Sequence, residues 1–158
     1  MPERPTRITV VGRAQCSADV AELARQVGEK IAQRGAVLVC GGLGGVMEAA
    51  CRGAAEAGGL TIGILPGIDP DSANEHVIIP VPTGMGEARN VINVRAGEVV
   101  IALDGGYGTL SEIAVALRAG IPVVALGAWQ EIDEATPAAS PEDAVRAALE
   151  LAGAASNG

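Results

Sequence analysis

Two stretches of the chain put a carboxylate one helical turn beyond a run of glycines. Gly41-Gly42-Leu43-Gly44-Gly45-Val46-Met47-Glu48 and Gly105-Gly106-Tyr107-Gly108-Thr109-Leu110-Ser111-Glu112 both read G-G-x-G-x-x-x-E, the first directly after an apolar run at 37–40 and the second after one at 99–103 and Asp104. Strand, glycine turn and helix is how a parallel sheet offers backbone N–H groups to an anion. Glycine admits backbone angles that a β-carbon forbids, and a helix start adds unpaired donors and partial positive charge. In the second stretch Thr109 can bring its hydroxyl to the helix start, and Glu112 can reach a ligand held by the glycines. One such turn is a weak signal, because any tight turn uses glycine. Two in one register point to a site for a phosphate-bearing ligand at 105–109, with Gly41, Gly42, Gly44 and Gly45 lining the same cleft.

The elements that must position these residues follow from the apolar spacing. Strands are expected at 8–11, 36–40, 60–65, 77–81, 99–103 and 121–126, with Pro80 marking 77–81 as an edge or a strand end. Helical spacing follows Ser17, follows both glycine turns, covers 87–96 and resumes after Ser140-Pro141-Glu142-Asp143, where a cap, a proline and two acids make a strong helix start. Gly35, Gly58-Gly59 and Gly120 are stops. Residues 127–137 read as irregular, and 153–158 as a frayed tail. Alternating strands and helices imply an α/β fold of three layers: a mostly parallel sheet with helices on both faces, forming a single domain over 1–152. Sites in such sheets lie beyond the carboxyl ends of the strands, where Gly12-Arg13, Gly41-Gly42, Asp104-Gly105-Gly106 and Gly127 converge.

Composition narrows the partners. The 158 residues are 49% hydrophobic but 1% aromatic, so the core is built from Ala, Val, Ile and Leu, as suits strands buried on both faces. The net charge of −8 and the lack of a Lys/Arg cluster disfavour nucleic acid. No apolar run reaches the roughly 20 residues of a membrane helix, and the start lacks a signal peptide, so no membrane partner and a cytoplasmic location are expected. Three cysteines, Cys16, Cys40 and Cys51, without a C-x-x-C pair, argue against a disulfide framework. Cys16 lies in a loop that can face the site. His76 is the single histidine, which disfavours a Ser-His-Asp triad or a histidine-based metal site, and no metal ligands are assigned. A mean hydropathy of +0.33 in a small chain predicts a homodimer or higher homo-oligomer.

Several side chains have a plainer reading beside the chemical one. Arg89 could pair with Glu87 or Glu98 on the surface, and Glu48 reads as structural. Arg13 is as easily solvent-facing as phosphate-binding. Tyr107 either covers a ligand or shields its loop, and Trp129 lines a pocket mouth or, slightly favoured, a subunit contact.

The second glycine motif resembles the P-G-G-x-G-T-x-x-E signature of the Lonely Guy proteins, once mislabelled lysine decarboxylases. Met85-Gly86-Glu87-Ala88-Arg89-Asn90 is similar to a displaced version of their second motif, M-x-x-R-K. The stretch Pro82-Thr83-Gly84-Met85-Gly86-Glu87-Ala88-Arg89-Asn90 more closely resembles a neighbouring branch that includes molybdenum-cofactor carrier-like proteins. The resemblance spans roughly residues 8–130 and implies a Rossmann-like sheet. Lonely Guy enzymes hydrolyse the N-glycosidic bond of a nucleoside 5′-monophosphate. The resemblance therefore implies Arg89 and Glu112 as a catalytic pair, the carboxylate facing an oxocarbenium-like transition state and the guanidinium fixing phosphate or assisting the departing base. It also implies that the second glycine turn holds phosphate. With the strand end at Gly12 and Arg13, the expected ligand contacts are then Gly12, Arg13, Thr83, Met85, Asn90, Asp104, Gly105, Gly106, Tyr107, Gly108 and Thr109. The chain departs from the family at two places: Asp104 stands for Pro and Asn90 for Lys. One adds negative charge and the other removes positive charge. The expected function is therefore binding of a nucleotide-like or pterin-like phosphate ligand, the molybdenum cofactor or a nucleoside monophosphate, in the manner of a carrier. The alternative is a phosphoribohydrolase; lysine decarboxylation is not expected.

Overall fold

Seven short strands, all parallel, form the middle layer: β1 (Arg7–Val11), β2 (Val37–Cys40), β3 (Thr61–Leu65), β4 (Ile79–Pro82), β5 (Val99–Ala102), β6 (Val123–Leu126) and β7 (Thr136–Ala138). Their order is β4-β3-β2-β1-β5-β6-β7. The five helices are α1 (Ala18–Gln33), α2 (Val46–Glu56), α3 (Arg89–Ala96), α4 (Tyr107–Arg118) and α5 (Pro141–Ser156). The computed structural model describes residues 2–156.

Side-chain alternation along the strands decides which helices cover which face. Ile8, Val10, Val99, Ile101 and Leu103 pack with α1, α2 and α5, whereas Val11, Val100 and Ala102 pack with Val94 of α3 and Ile113 and Ala116 of α4. Ala, Val, Ile and Leu fill most of both layers, as the composition implies, joined by Met47, Cys40 and Cys51. Small residues let α1 and α2 touch backbone to backbone: a Cβ on Gly28 would lie 1.9 Å from the carbonyl oxygen of Ala50, and one on Gly53 1.9 Å from that of Arg25.

Chain order runs outward from β1 to β4, then returns to β5 beside β1 and runs outward again. The carboxyl ends of β1 and β5 therefore flank the point where the winding reverses, the place where an open parallel sheet leaves a crevice. Backbone pairing continues past both strands, with Leu103 N donating to Val11 O at 3.0 Å and Arg13 N to Asp104 O at 2.8 Å. The two loops thus leave the sheet side by side.

The helix starts follow the expected chemistry. Ser17 Oγ accepts from Val20 N, and Ser140 Oγ from Asp143 N. Several boundaries differ from expectation, among them β6, which begins at Val123 rather than at 121. The edge strand is Ile79–Pro82, two residues later than its apolar run, because His76 O and Thr61 Oγ1 hold the preceding residues in a turn. Arg89–Ala96 is preceded by a single 3-10 turn over Gly86–Ala88 rather than by one continuous helix. The segment expected to be irregular at 127–137 ends in β7, a three-residue strand. The tail expected to fray from 153 is helical up to Ser156, and 157 and 158 lie outside the described residues.

Candidate functional site

A cavity of about 470 Å³ opens at this crevice. The β1 loop contributes Gly12, Arg13 and Ala14, the β5 turn and α4 contribute Gly106, Gly108, Thr109 and Glu112, and the segment entering α3 contributes Gly86, Glu87, Arg89 and Asn90; Leu43, Met47 and Pro66 complete the wall. The two residues that the sequence singled out for chemistry, Arg89 and Glu112, are only 9% and 7% exposed. Neither the Glu87 nor the Glu98 partner considered for Arg89 is used: Glu98 bonds instead to Arg7.

Each member of the pair is held from behind. Asn93, itself 1% exposed on α3, donates from Nδ2 to Glu112 Oε2 at 2.7 Å. Burial pushes the Glu112 carboxyl up to about 6, while the Asn93 bond and the positive charge of Arg89 oppose that rise. Arg89 donates from Nη1 to Asn90 Oδ1 and, at 3.5 Å, from Nη2 to Gly41 O. Arg89 Nε is buried without a partner among the described residues. A buried guanidinium with spare donors is suited to a ligand anion.

The start of α4 faces the same cavity. Its cap, Gly106, makes no side-chain bond to the helix, and Leu110 N is the first to find an intrahelical partner, Gly106 O. The preceding N–H groups are the unpaired donors of a helix start. Gly105 is forced to be glycine, since a Cβ there would lie 2.0 Å from Thr109 Oγ1. Gly106 is not crowded: its nearest neighbour to such a Cβ is Arg13 Nη1 at 3.7 Å.

The first glycine motif is used differently, and the expectation that Gly41, Gly42, Gly44 and Gly45 line the cleft does not hold. Only Leu43 of that turn reaches the cavity. Gly41 lies behind Arg89, where a Cβ would meet Nη2 and Met47 Sδ at 2.8 Å. Gly42 packs on Leu65 with φ of 77°, and Gly44 and Gly45 tuck beneath the β1 loop. The start of α2 is already engaged, Val46 N donating to Arg13 O at 2.9 Å. Glu48 is accordingly exposed and points away from the cavity.

Other expected residues also lie off the wall. Asp104 does not line the cavity; it turns to a neighbouring hollow and meets Arg13, with Nε 3.4 Å from Oδ2. Arg13 also donates from Nη2 to Gly105 O at 3.0 Å, so its half-exposed side chain does both things considered for it, bracing the turn and bordering the cavity. Gly127 borders the same hollow as Asp104. Thr83 Oγ1 donates to Leu65 O, and Met85 is half-exposed outside the wall. Tyr107 is 91% exposed. Trp129 lines no part of the cavity, and its Nε1 donates to Leu103 O at 2.8 Å. Cys16 does not face this cavity but a separate depression, and Cys40 and Cys51 are buried as free thiols 3.4 Å apart. Asn93, Gly86, Glu87 and Pro66 were not foreseen as site residues. Asn93 was visible only as one more polar residue on 87–96, and its helical spacing from Arg89 was the signal that could have found it.

Comparison with known proteins agrees with this geometry. The sequence model of the SLOG cluster4 family matches residues 5–152. The molybdenum cofactor binding protein of Rippkaea orientalis superposes with a TM-score of 0.91 at 39% identity, over 95% of this chain and 99% of that one. The Moco carrier protein of Chlamydomonas reinhardtii gives a TM-score of 0.85 at 38% identity, over 96% and 99%. A cytokinin riboside 5′-monophosphate phosphoribohydrolase of Mycobacterium tuberculosis is 34% identical over 131 residues, 73% of this chain and 67% of that protein. The resemblance drawn from the two motifs is thereby borne out, and the chain belongs to the SLOG cluster4 family.

Proposed function

We propose that this chain binds a small phosphate-bearing ligand of pterin or nucleotide type in the cavity between β1 and β5, in the manner of a molybdenum-cofactor carrier. The observation that carries this reading is the Arg89 guanidinium on one wall of the cavity while the uncapped start of α4 forms another. A phosphate accepts from both kinds of donor. Asn90 and Glu87 offer amide and carboxylate groups to ring N–H and carbonyl positions. The cavity volume falls within the range of roughly 300–1,000 Å³ typical of small-molecule sites. The molybdenum cofactor binding protein and the Moco carrier protein of similar structure support the pterin choice. Metal, if it travels with the pterin, is cargo here; the residues of the wall supply binding and orientation.

The pairing of Arg89 with Glu112 favours a second reading, hydrolysis of a nucleoside monophosphate, which the phosphoribohydrolase relative also supports. The residue at 104 bears less on this choice than the sequence suggested, because Asp104 lies outside the cavity and beside Arg13. The residue at 90 still bears on it: Asn90 is in the wall and brings no positive charge. Mass spectrometry of the ligand that co-purifies should find a pterin phosphate, and incubation with AMP should release no base. Base release at an ordinary enzymatic rate of about 1 s⁻¹ or more would replace the carrier reading by the hydrolase one.

A further inference from the structure

On the far side of the β1 loop from the ligand cavity, Glu48, Glu75 and His76 converge. Glu48 stands in the first turn of α2; Glu75 and His76 lie on the loop before β4. Their ligand atoms all lie within 4.8 Å of one another, with His76 Nε2 3.7 Å from Glu75 Oε1. They border a depression of about 430 Å³ that Cys16 and Arg52 share. Glu48 makes no hydrogen bond or ion pair among the described residues, and the Arg52 guanidinium is turned to Glu56, with Nε at 4.0 Å. Two carboxylates and an imidazole therefore meet without a cation between them, in a chain of net charge −8.

We propose that Glu48, Glu75 and His76 form a binding site for a divalent cation of the zinc type. Zinc bonds of about 2.0–2.2 Å place neighbouring ligand atoms of a tetrahedron roughly 3.4 Å apart, so the observed spacings must contract by no more than about 1.4 Å. Glu75, with 80% of its side chain exposed, is free to make that movement, whereas His76 is three-quarters covered. One imidazole with two carboxylates selects Zn²⁺, Co²⁺ or Ni²⁺ over Mg²⁺ or Ca²⁺, which prefer all-oxygen sets. Three protein ligands leave a fourth position for water. The Cys16 thiol, raised above its ordinary value by burial and by Asp104, is not assigned to it.

The backbone that carries His76 is already fixed. Asn74 N donates to Gly42 O at 2.8 Å, Asn74 Nδ2 to Leu43 O at 2.9 Å, and Asn74 Oδ1 accepts from His76 N at 3.0 Å. A cation clamped between this loop and α2 would brace the turn from which Leu43 reaches into the ligand cavity. The site is independent of the ligand assigned to that cavity.

The test is calorimetric titration of tag-free protein with Zn²⁺, paired with Co²⁺ absorption. One site per chain is expected. Glu48→Gln and His76→Ala should each weaken it at least tenfold, a typical cost of disturbing a metal site, while circular dichroism confirms that both variants fold. Cys16→Ser should bind as the parent does, and Zn²⁺ should raise the Tm of the parent by a few degrees but not that of His76→Ala. Failure of the parent to bind, binding that survives the Glu48→Gln/His76→Ala double variant, or binding lost in Cys16→Ser would each overturn the assignment.

Discussion

Glu112 is the side chain whose charge the cavity most strongly controls. Its rise from 4.5 to about 6 means that folding favours its protonated form, by about 2 kcal/mol. This contribution is fully present below pH 4.5 and is lost as pH rises through about 6. Glu22 and Glu142 are lowered by their arginine partners, so their contributions run the other way and are lost as pH falls. Both remain in a Glu112→Gln variant and cancel in a comparison with the parent. The stability of the parent minus that of the variant should therefore fall by about 2 kcal/mol between pH 4 and pH 7, measured by urea unfolding at each pH. Arg89→Met, which removes the charge holding Glu112 down, should raise the carboxyl further in an NMR titration and weaken phosphate-ligand binding by two orders of magnitude or more, the scale of a lost charged pair of about 3 kcal/mol. An unchanged Glu112 titration would show that the guanidinium does not sense it. At this scale motif and spacing singled out Arg89 and Glu112, and the structure brings both side chains to the wall of one cavity. The sequence did not single out Asn93, whose one signal was its spacing of four residues from Arg89 on the same helix, because a residue that acts from behind another carries no motif of its own.

The two glycine motifs show what an element adds to a pattern. They are identical in register, yet only one presents an open helix start. The difference lies in a third segment: the Arg13 carbonyl of the β1 loop accepts from Val46 N at the start of α2, whereas the start of α4 has no such partner among the described residues. Nothing local to 41–48 encodes that contact, which is why the motif there was misread as cavity wall. The same glycines divide by substitution. Gly105→Ala must push Thr109 aside and should cost about 1–3 kcal/mol of stability, as overpacking does. Gly106→Ala finds room and should unfold at the parent's urea midpoint, yet its methyl group enters the wall and should weaken ligand binding. Equal midpoints for the two variants would contradict this division. The strand β7 was missed for a related reason: Thr136-Pro137-Ala138 has no periodicity to read, and it pairs with β6 because the edge was open to it. The buried aliphatic strands, by contrast, were legible because burial on both faces leaves near-continuous apolar runs.

For the whole molecule, the exposed aliphatic surface is the basis for predicting self-association, against the repulsion of a net charge of −8. Among the described residues no helix is long and apolar enough to cross a membrane. Yet Ile79 and Val81 on β4, Val91 and Ile92 on α3, and Leu110 on α4 are each between 36% and 43% exposed. Aliphatic side chains left outside in a chain of mean hydropathy +0.33 are expected to meet a second copy. Sedimentation at micromolar concentration should give at least a dimer, and a monomer there would count against it. The strand order itself was beyond the sequence, since alternation of strands and helices implies parallel pairing but not which strand lies beside which.

The near-absence of aromatic residues gives the single indole a second use. Trp129 is the only tryptophan, and its N–H is bonded to Leu103 O, at the last turn of backbone before Asp104-Gly105-Gly106. The one other aromatic side chain, Tyr107, stands almost wholly in solvent at the start of α4. Emission from this protein on excitation of indole therefore originates from one place, and that place is tied to the strand that delivers the glycine turn. The fold carries its own optical reporter. Quenching or a spectral shift on adding a ligand can be read as an event at the end of β5, with no label attached and no other indole to subtract.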